Sequence, residues 1–225
     1  AVYLTNFDLF GDEAQYWIWS QDLDLGYYSK PPLLAWFMGF VCWIFGNNFF
    51  VIKLIPILMY CLNSYVVFLL TKKLFKNIEL AFLTAITFFL MPVVSVSSFL
   101  ISTDVILVFF WSLCLLQLLR VIENQNTINF VLLGLFLGLA FLTKYAAIYF
   151  IICFVFLLTL KKVRVIFFEK KLMFVLAIIT FFVVISPNIF WNINNGWTTF
   201  LHTAENAALD RIKFNYLGGL GFFVA

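Results

Sequence analysis

The chain has 225 residues, of which 64% are hydrophobic and 11% charged, with a formal net charge of +3 and a mean hydropathy of +1.05. Soluble domains carry about 25% charged residues, so this composition excludes a soluble globular protein, a disordered segment and a nucleic-acid-binding module. The apolar runs are long and unbroken rather than alternating, which excludes a transmembrane barrel and predicts an all-α protein with several membrane spans.

The N-terminal part, residues 1–48, is predicted to lie outside the membrane as a loop that holds two short helices. An aromatic and apolar stripe beside an acidic face predicts a short interfacial helix within 11–26. The double proline at 31–32 fixes an extended turn and ends any helix before it. A second amphipathic or re-entrant helix is expected over 33–45.

Six membrane spans are predicted within residues 49–190, because a span needs about 20 apolar residues. They are expected at 49–70, 80–98, 105–119, 128–142, 146–160 and 172–190. An outer loop over 191–217 and the start of a further span at 218–225 follow them. The chain has no initiator Met and stops inside that apolar run, so we expect residues 1–225 to be a fragment of a single transmembrane module.

Basic residues concentrate in the connections on one side of the predicted spans. That side holds nine basic and three acidic residues, a net charge of +6, whereas the other side holds five basic and eight acidic residues, a net charge of −3. Cytoplasmic loops carry an excess of Lys and Arg, so the first side is predicted to be cytoplasmic. Its basic residues are Lys72, Lys73, Lys76, Arg120, Lys161, Lys162, Arg164, Lys170 and Lys171.

The predicted outer side holds ionisable residues in unusual places. Asp104 and Lys144 lie at the ends of apolar spans, where charges are costly and by default mark a functional site. Asp12 and Glu13 lie in the first turn of the interfacial helix, where site carboxylates and ordinary acids that suit the helix dipole are equally good interpretations. Lys30 precedes the double proline, either as a rigidly presented site residue or as a snorkelling lysine.

Several motifs follow one another on this predicted outer face. They are Asp12-Glu13, Lys30-Pro31-Pro32, Thr103-Asp104, Thr143-Lys144 and Pro187-Asn188-Ile189-Phe190-Trp191-Asn192. The ordered set resembles the C-type membrane glycosyltransferases, which use polyprenyl-phosphate sugars. These include protein O-mannosyltransferases, lipid A aminoarabinose transferase and transferases that add sugars to lipid A or lipopolysaccharide core. The resemblance covers essentially the whole chain and implies a C-type transmembrane helix bundle with juxtamembrane helices in the first outer loop.

The resemblance implies roles for individual residues. Asp12 takes the place of the catalytic carboxylate, with Glu13 as its neighbour and Asp104 as a further catalytic acid. Lys30 and Lys144 take the places of the lysines that contact the donor phosphate. In aminoarabinose transferases an acid precedes the loop lysine and helps hold a divalent metal. The residue at that position here is Ser29, so the sequence does not support a metal, and we assign no cofactor.

Other polar and aromatic residues on this side are candidates for binding the sugar or the acceptor. Amides hydrogen-bond to sugar hydroxyls and aromatic rings stack on sugar faces. Tryptophan at the membrane edge is also typical of an aromatic belt, and a single histidine is more often a polar surface residue. The candidates are Tyr28, Asn188, Trp191, Asn192 and His202.

These residue types suit the transfer of a sugar from a polyprenyl-phosphate donor to a lipid, glycan or protein acceptor. A carboxylate removes the proton of the acceptor hydroxyl, and lysines stabilise the departing phosphate. One base and two lysines predict a single displacement with inversion. The expected setting is a multi-pass protein of a bacterial inner membrane, among membrane lipids, with its active site on the periplasmic face.

Two other functions compete with this one. A transporter or flippase of an anionic polyprenyl-phosphate lipid would use Lys30 and Lys144 as its binding pair. Transporters, however, carry charges near mid-span and repeats between halves, neither of which the sequence shows. A purely structural subunit would leave the one-sided set of acids and lysines unexplained.

Overall fold

The computed structural model describes residues 9–206, which form helices joined by short connections, with no strand in that range. The predicted all-α class is confirmed there. Residues 207–217 of the expected outer loop, and the span expected to start at 218–225, lie outside the described residues. The helices are α1 (Gly11–Gln21), α2 (Leu33–Phe45), α3 (Phe49–Phe75), α4 (Ile78–Leu90), α5 (Pro92–Ser97), α6 (Thr103–Glu123), α7 (Thr127–Thr143), α8 (Ile148–Leu157), α9 (Lys161–Glu169), α10 (Lys171–Asn194) and α11 (Thr198–Asn206).

Three of the described helices, α3, α6 and α10, are long and apolar enough to cross a membrane. The segments of the other predicted spans form shorter apolar helices. The segment expected as one span over 80–98 is divided, because α4 ends at Leu90 and α5 begins at Pro92. The residue before a proline is disfavoured in the α conformation, and Met91 accordingly has an extended ψ of 134°. The count of six spans remains a prediction.

Helix α6 packs against two groups of helices. Towards its N-terminus it shares a buried cluster with α1, α2 and α3, to which Met38 and Ile106 belong. Towards its C-terminus it shares a second cluster with α7, α8, α9 and α10, to which Phe130 and Phe167 belong. The two short N-terminal helices are thereby fixed against the start of α3 and α6, where the candidate site lies.

Helices α7 and α10 approach each other very closely at two glycines. A Cβ atom on Gly134 would lie 2.1 Å from the carbonyl oxygen of Ala177, and one on Gly138 would lie 2.7 Å from Cβ of Val184. Small residues are enriched where transmembrane helices pack closely, because they let the backbones approach. This contact joins the middle of α7 to the first half and the centre of α10.

The C-terminal ends of α3 and α6 are joined by an ion pair. The Nζ of Lys73 contacts the carboxylate of Glu123, and both groups are partly exposed. Both residues belong to the side predicted from the sequence to be cytoplasmic. The structure thus brings two members of that predicted side together, at the end of the bundle opposite the candidate site.

The glycine contact predicts a stability effect. Gly134→Ala should lower the stability of the protein by about 1–3 kcal/mol, because α7 and α10 must separate to admit the methyl group. Thermal unfolding in detergent measures the change. The matched control is Gly11→Ala, where a Cβ atom meets nothing within 4 Å. An unfolding temperature of Gly134→Ala at or above that of the unsubstituted protein would contradict the contact.

Candidate active site

The ionisable residues expected on the outer side gather at one end of the bundle. This end, called here the polar end, consists of α1, the N-terminal turns of α3 and α6 and the C-terminal turns of α7 and α10. Direct contacts join these elements: Glu13 to Lys53 and Asp104 to Lys144. These residues lie together because of the direction of the helices: α3 and α6 begin at the end of the bundle where α7 and α10 finish.

Asp12 and Asp104 both lie near the hydroxyl of Tyr16. Tyr16 is buried, and burial raises its pKa to about 12, with the charges of Asp12 and Asp104 adding to the rise and a hydrogen bond with Thr103 opposing it. Both carboxylates are in the first turn of a helix, α1 and α6 respectively, where the helix dipole favours a negative charge. Both are exposed. The charges of two carboxylates that are 92 positions apart in the sequence therefore act on the same tyrosine hydroxyl.

Asp104 also forms an ion pair with Lys144. The Nζ of Lys144 donates a hydrogen bond to Oδ1 of Asp104 at 2.7 Å. Lys144 is the C-cap residue of α7. Because the two side chains are 33% and 59% exposed, the pair contributes little to stability. A negatively charged ligand can therefore compete for Lys144 at small cost to the fold.

Lys30 and Lys144 line one cavity of about 380 Å³. None of the residues within 9–206 that line it is acidic, so this part of the chain presents two positively charged side chains to a ligand in the cavity. Lysine acts as a point charge for phosphate, and this pairing suits a phosphate-bearing ligand. The other lining residues are Ser29, Pro31, Tyr145, Ala146, Ile148, Tyr149, Thr203 and Asn206.

The loop that carries Lys30 is held by the C-terminal turns of α10. The side-chain amide of Asn188 donates to the carbonyl oxygen of Leu25 at 2.9 Å, while its Oδ1 accepts from the hydroxyl of Tyr145 at 2.8 Å. Asn188 thereby links the loop to the turn that follows α7. One lysine of the cavity lies on each side of this link.

Trp191 and Asn192 belong to the same arrangement. The indole Nε1 of Trp191 donates to Oδ2 of Asp24 at 2.6 Å. Asn192 is fully buried and donates to the carbonyl oxygen of Asn188 at 2.9 Å. A Cβ atom on Gly26 would lie 2.5 Å from the ring of Trp191, so the loop passes closely enough to require glycine. Trp191 therefore helps to hold the loop, whereas the hydrogen bonds of Asn192 go to Asn188 and Tyr145, and sugar binding by either residue stays a prediction.

Tyr28 and His202 lie together beside the cavity. Their ring centroids are 4.9 Å apart in an edge-to-face arrangement. Tyr28 is exposed and immediately precedes lining residues of the cavity, and His202 immediately precedes the lining residue Thr203. Of the candidates for contacting a sugar or acceptor, this pair has the most accessible position.

Glu13 does not share the exposed position of Asp12. It is buried, and its Oε2 accepts from Nζ of Lys53 at 2.5 Å. Neighbouring residues on a helix point about 100° apart, so one faces the solvent when the other faces the core. No sequence pattern predicted a role for Lys53, although it is the single charge in the first five turns of a largely apolar helix. A lone lysine in an apolar helix indicates a buried partner of opposite charge, and this pattern could have predicted the ion pair.

Among residues 9–206, no group of three or more His, Cys, Asp or Glu side chains is placed to hold a metal ion.

The link through Asn188 predicts a cost on its removal. Asn188→Ala should destabilise the protein by about 1–3 kcal/mol, because the carbonyl of Leu25 and the hydroxyl of Tyr145 lose their buried partner. Thermal unfolding of the detergent-solubilised protein measures this loss. Asn194→Ala is the matched control, since Asn194 is an exposed residue of the same helix. Equal unfolding temperatures for the two variants would show that the link contributes nothing.

Comparison with known proteins finds transferases to which the chain is similar. It is 37% identical, over its whole length, to lipid A galacturonosyltransferase RgtD of Rhizobium johnstonii, and spans 47% of that protein. It is 29% identical, over 57% of its length, to the undecaprenyl phosphate-alpha-4-amino-4-deoxy-L-arabinose arabinosyl transferase of Yersinia enterocolitica, and spans 24% of it. The chain thus spans less than half of the length of either relative.

No solved structure matches the chain. The sequence profile of the dolichyl-phosphate-mannose-protein mannosyltransferase family, by contrast, matches residues 29–191, which include Lys30, Asp104, Lys144 and the loop-holding turns of α10. The chain belongs to the dolichyl-phosphate-mannose-protein mannosyltransferase family.

Proposed function

We propose that this chain carries the active site of a membrane glycosyltransferase. Its donor is a polyprenyl-phosphate sugar, and its acceptor is lipid A, lipopolysaccharide or another cell-envelope molecule. The observation that carries the proposal is the position of Lys144, which lines the cavity with Lys30 and pairs with Asp104. This arrangement puts an anion site directly beside a carboxylate. Two relatives support the proposal: the lipid A galacturonosyltransferase supports a lipid A acceptor, and the undecaprenyl phosphate-alpha-4-amino-4-deoxy-L-arabinose arabinosyl transferase supports a polyprenyl-phosphate donor.

The donor phosphate binds between Lys30 and Lys144. Both lysines are half-buried, so the cavity excludes part of the water that would screen their charges. During transfer the bond between the anomeric carbon and the phosphate oxygen breaks, and its electron pair stays with the phosphate. Two lysines already in place stabilise that negative charge without reorganisation.

Asp12 is the general base. Its carboxylate is exposed and has no hydrogen-bond or ion-pair partner among residues 9–206. It takes the proton of the acceptor hydroxyl as the hydroxyl oxygen attacks the anomeric carbon. The carboxylate of Asp104 lies beside Lys144, orients its ammonium group and faces the positive charge that develops on the sugar.

The proposed reaction takes place on the periplasmic face of a bacterial inner membrane. The opposite end of α3 and α6 supports this orientation. It carries Lys73 and Glu123, which belong to the predicted side on which basic residues predominate. The positive-inside rule puts that side in the cytoplasm, and hence the polar end outside.

The base assignment predicts a large loss of activity on removal of one carboxylate. In the full-length protein, Asp12→Asn should lower the rate of sugar transfer by about 10²–10⁴-fold, the usual contribution of a general base. Transfer from a radiolabelled polyprenyl-phosphate sugar to extracted lipid A measures this rate. Asp22→Asn, which removes another exposed acid of the first outer loop, is the matched control and should keep the activity.

A wild-type protein that transfers no sugar but moves the labelled lipid between leaflets would replace the proposal with the flippase function. Equal transfer rates for Asp12→Asn and Asp22→Asn would remove Asp12 from the base role.

The single-displacement mechanism predicts inversion at the anomeric carbon. Glu13 is buried in an ion pair and Asp104 is paired with Lys144, so neither is a free nucleophile for a double displacement. NMR of the product should show the anomeric configuration opposite to that of the donor. Retention of configuration, or a glycosyl-enzyme trapped on Asp12 or Asp104, would contradict this mechanism.

A further inference from the structure

We infer that the buried ion pair of Glu13 and Lys53 is a positioning device that sets the separation of Asp12 and Asp104. The inference rests on the proposed function, because it gives the two carboxylates their joint task. Neither Glu13 nor Lys53 contacts the cavity, and neither takes part in the proton or sugar transfer. They act through the backbone segments that they connect.

Four hydrogen bonds converge on this pair. Oε2 of Glu13 accepts from Nζ of Lys53 at 2.5 Å and from the amide of Phe10 at 3.0 Å, and Oε1 accepts from the amide of Ile101 at 3.0 Å. Nζ of Lys53 also donates to the carbonyl oxygen of Phe99 at 3.2 Å. The pair therefore binds the start of α1, the second turn of α3 and the segment that leads into α6.

The connected segments carry the two exposed carboxylates. Asp12 precedes Glu13 in the first turn of α1, and Asp104 follows Ile101 by three residues in the first turn of α6. Helices are stiff over one turn, so a fixed Glu13 and a fixed Ile101 amide leave Asp12 and Asp104 little freedom to move apart. Without this bridge, α1 would be joined to the start of α6 by the hydrogen bond between Tyr16 and Thr103 and by apolar side chains, which specify distance less strictly.

Burial makes the bridge strong and directional. Glu13 and Lys53 are both buried, and Nζ of Lys53 lies 5.5 Å from the ring centroids of both Phe10 and Phe49. These rings cover the pair against water, where its attraction would be screened. A buried charge that lacks a hydrogen-bond or ion-pair partner is costly. The arrangement of α1, α3 and the segment before α6 in which all four hydrogen bonds form is therefore favoured over arrangements in which these elements are shifted.

The test separates positioning from donor binding. In the full-length protein, Lys53→Met should lower kcat about 10²-fold, the effect of displacing reacting groups by about 1 Å, while KM for the lipid-linked donor stays within about twofold. Lys30→Met should instead raise that KM. The matched control is Lys73→Met, which removes the exposed ion pair between the C-terminal ends of α3 and α6. It should leave both kcat and KM unchanged.

Two further variants keep the test sharp. Lys53→Arg keeps the charge and should recover most of the lost kcat. If Lys53→Met does not fold, Glu13→Gln carries the same test, because the amide keeps the side-chain size and an oxygen for one backbone N–H but removes the charge. A folded Lys53→Met or Glu13→Gln protein with the kcat of Lys73→Met, or with its loss confined to KM, would overturn the inference.

Hydrogen exchange gives a readout that does not depend on activity. In Lys53→Met the peptides that contain residues 9–14 and 99–104 should exchange faster than in Lys73→Met, since the Glu13 carboxylate, which accepts from the amides of Phe10 and Ile101, is no longer held by Lys53. A wild-type protein without transferase activity would overturn the proposed function, and the exchange rates would then decide separately whether the pair holds the two segments. Unchanged exchange in both segments would overturn the inference.

Discussion

A pair of opposite charges removed from water is the constraint on which the polar end depends. Glu13 and Lys53 are buried at the point where the short helix α1 meets α3 and the segment entering α6. Neither charge is tolerable there without the other, so the three elements can come together in few ways. The exposed pair of Lys73 and Glu123 joins α3 to α6 at the opposite end, but exposure leaves it with little power to specify geometry.

The second charge pair at the polar end has the opposite character. Lys144 is partly exposed, pairs with Asp104 and lines the cavity with Lys30. In the proposed reaction the ammonium group of Lys144 contacts the donor phosphate while it stays paired with Asp104. The carboxylate thereby lies close to the positive charge that develops on the sugar, without becoming a free nucleophile. A buried pair fixes the geometry, and an exposed pair responds to the ligand.

The fold was predictable from the sequence where its cause is local. The double proline and the following apolar run gave α2 its bounds, and helix direction with the charge bias brought Asp104 and Lys144 to one end. The break between α4 and α5 at Met91 was not predicted, because the span was assigned from its apolar composition, which does not show that a proline begins a new helix. The pairing of Glu13 with Lys53, 40 positions apart, was missed because spacing within one helix does not show which of two neighbouring acids faces inward.

The loop of Lys30 distinguishes the two functions that the sequence left in competition. A flippase binds its lipid alternately from both sides, so its binding residues belong to elements that move against each other. Here the loop is fixed to α10 and α11 through Asn188, Trp191 and Thr199, the last of which donates to the carbonyl oxygen of Tyr27 at 2.6 Å. Lysine loses considerable side-chain conformational entropy when it binds a phosphate. Because the backbone of the loop is already held in place, binding costs little additional backbone entropy. A fixed phosphate site beside fixed carboxylates is what a displacement at the anomeric carbon requires, and it favours the transferase.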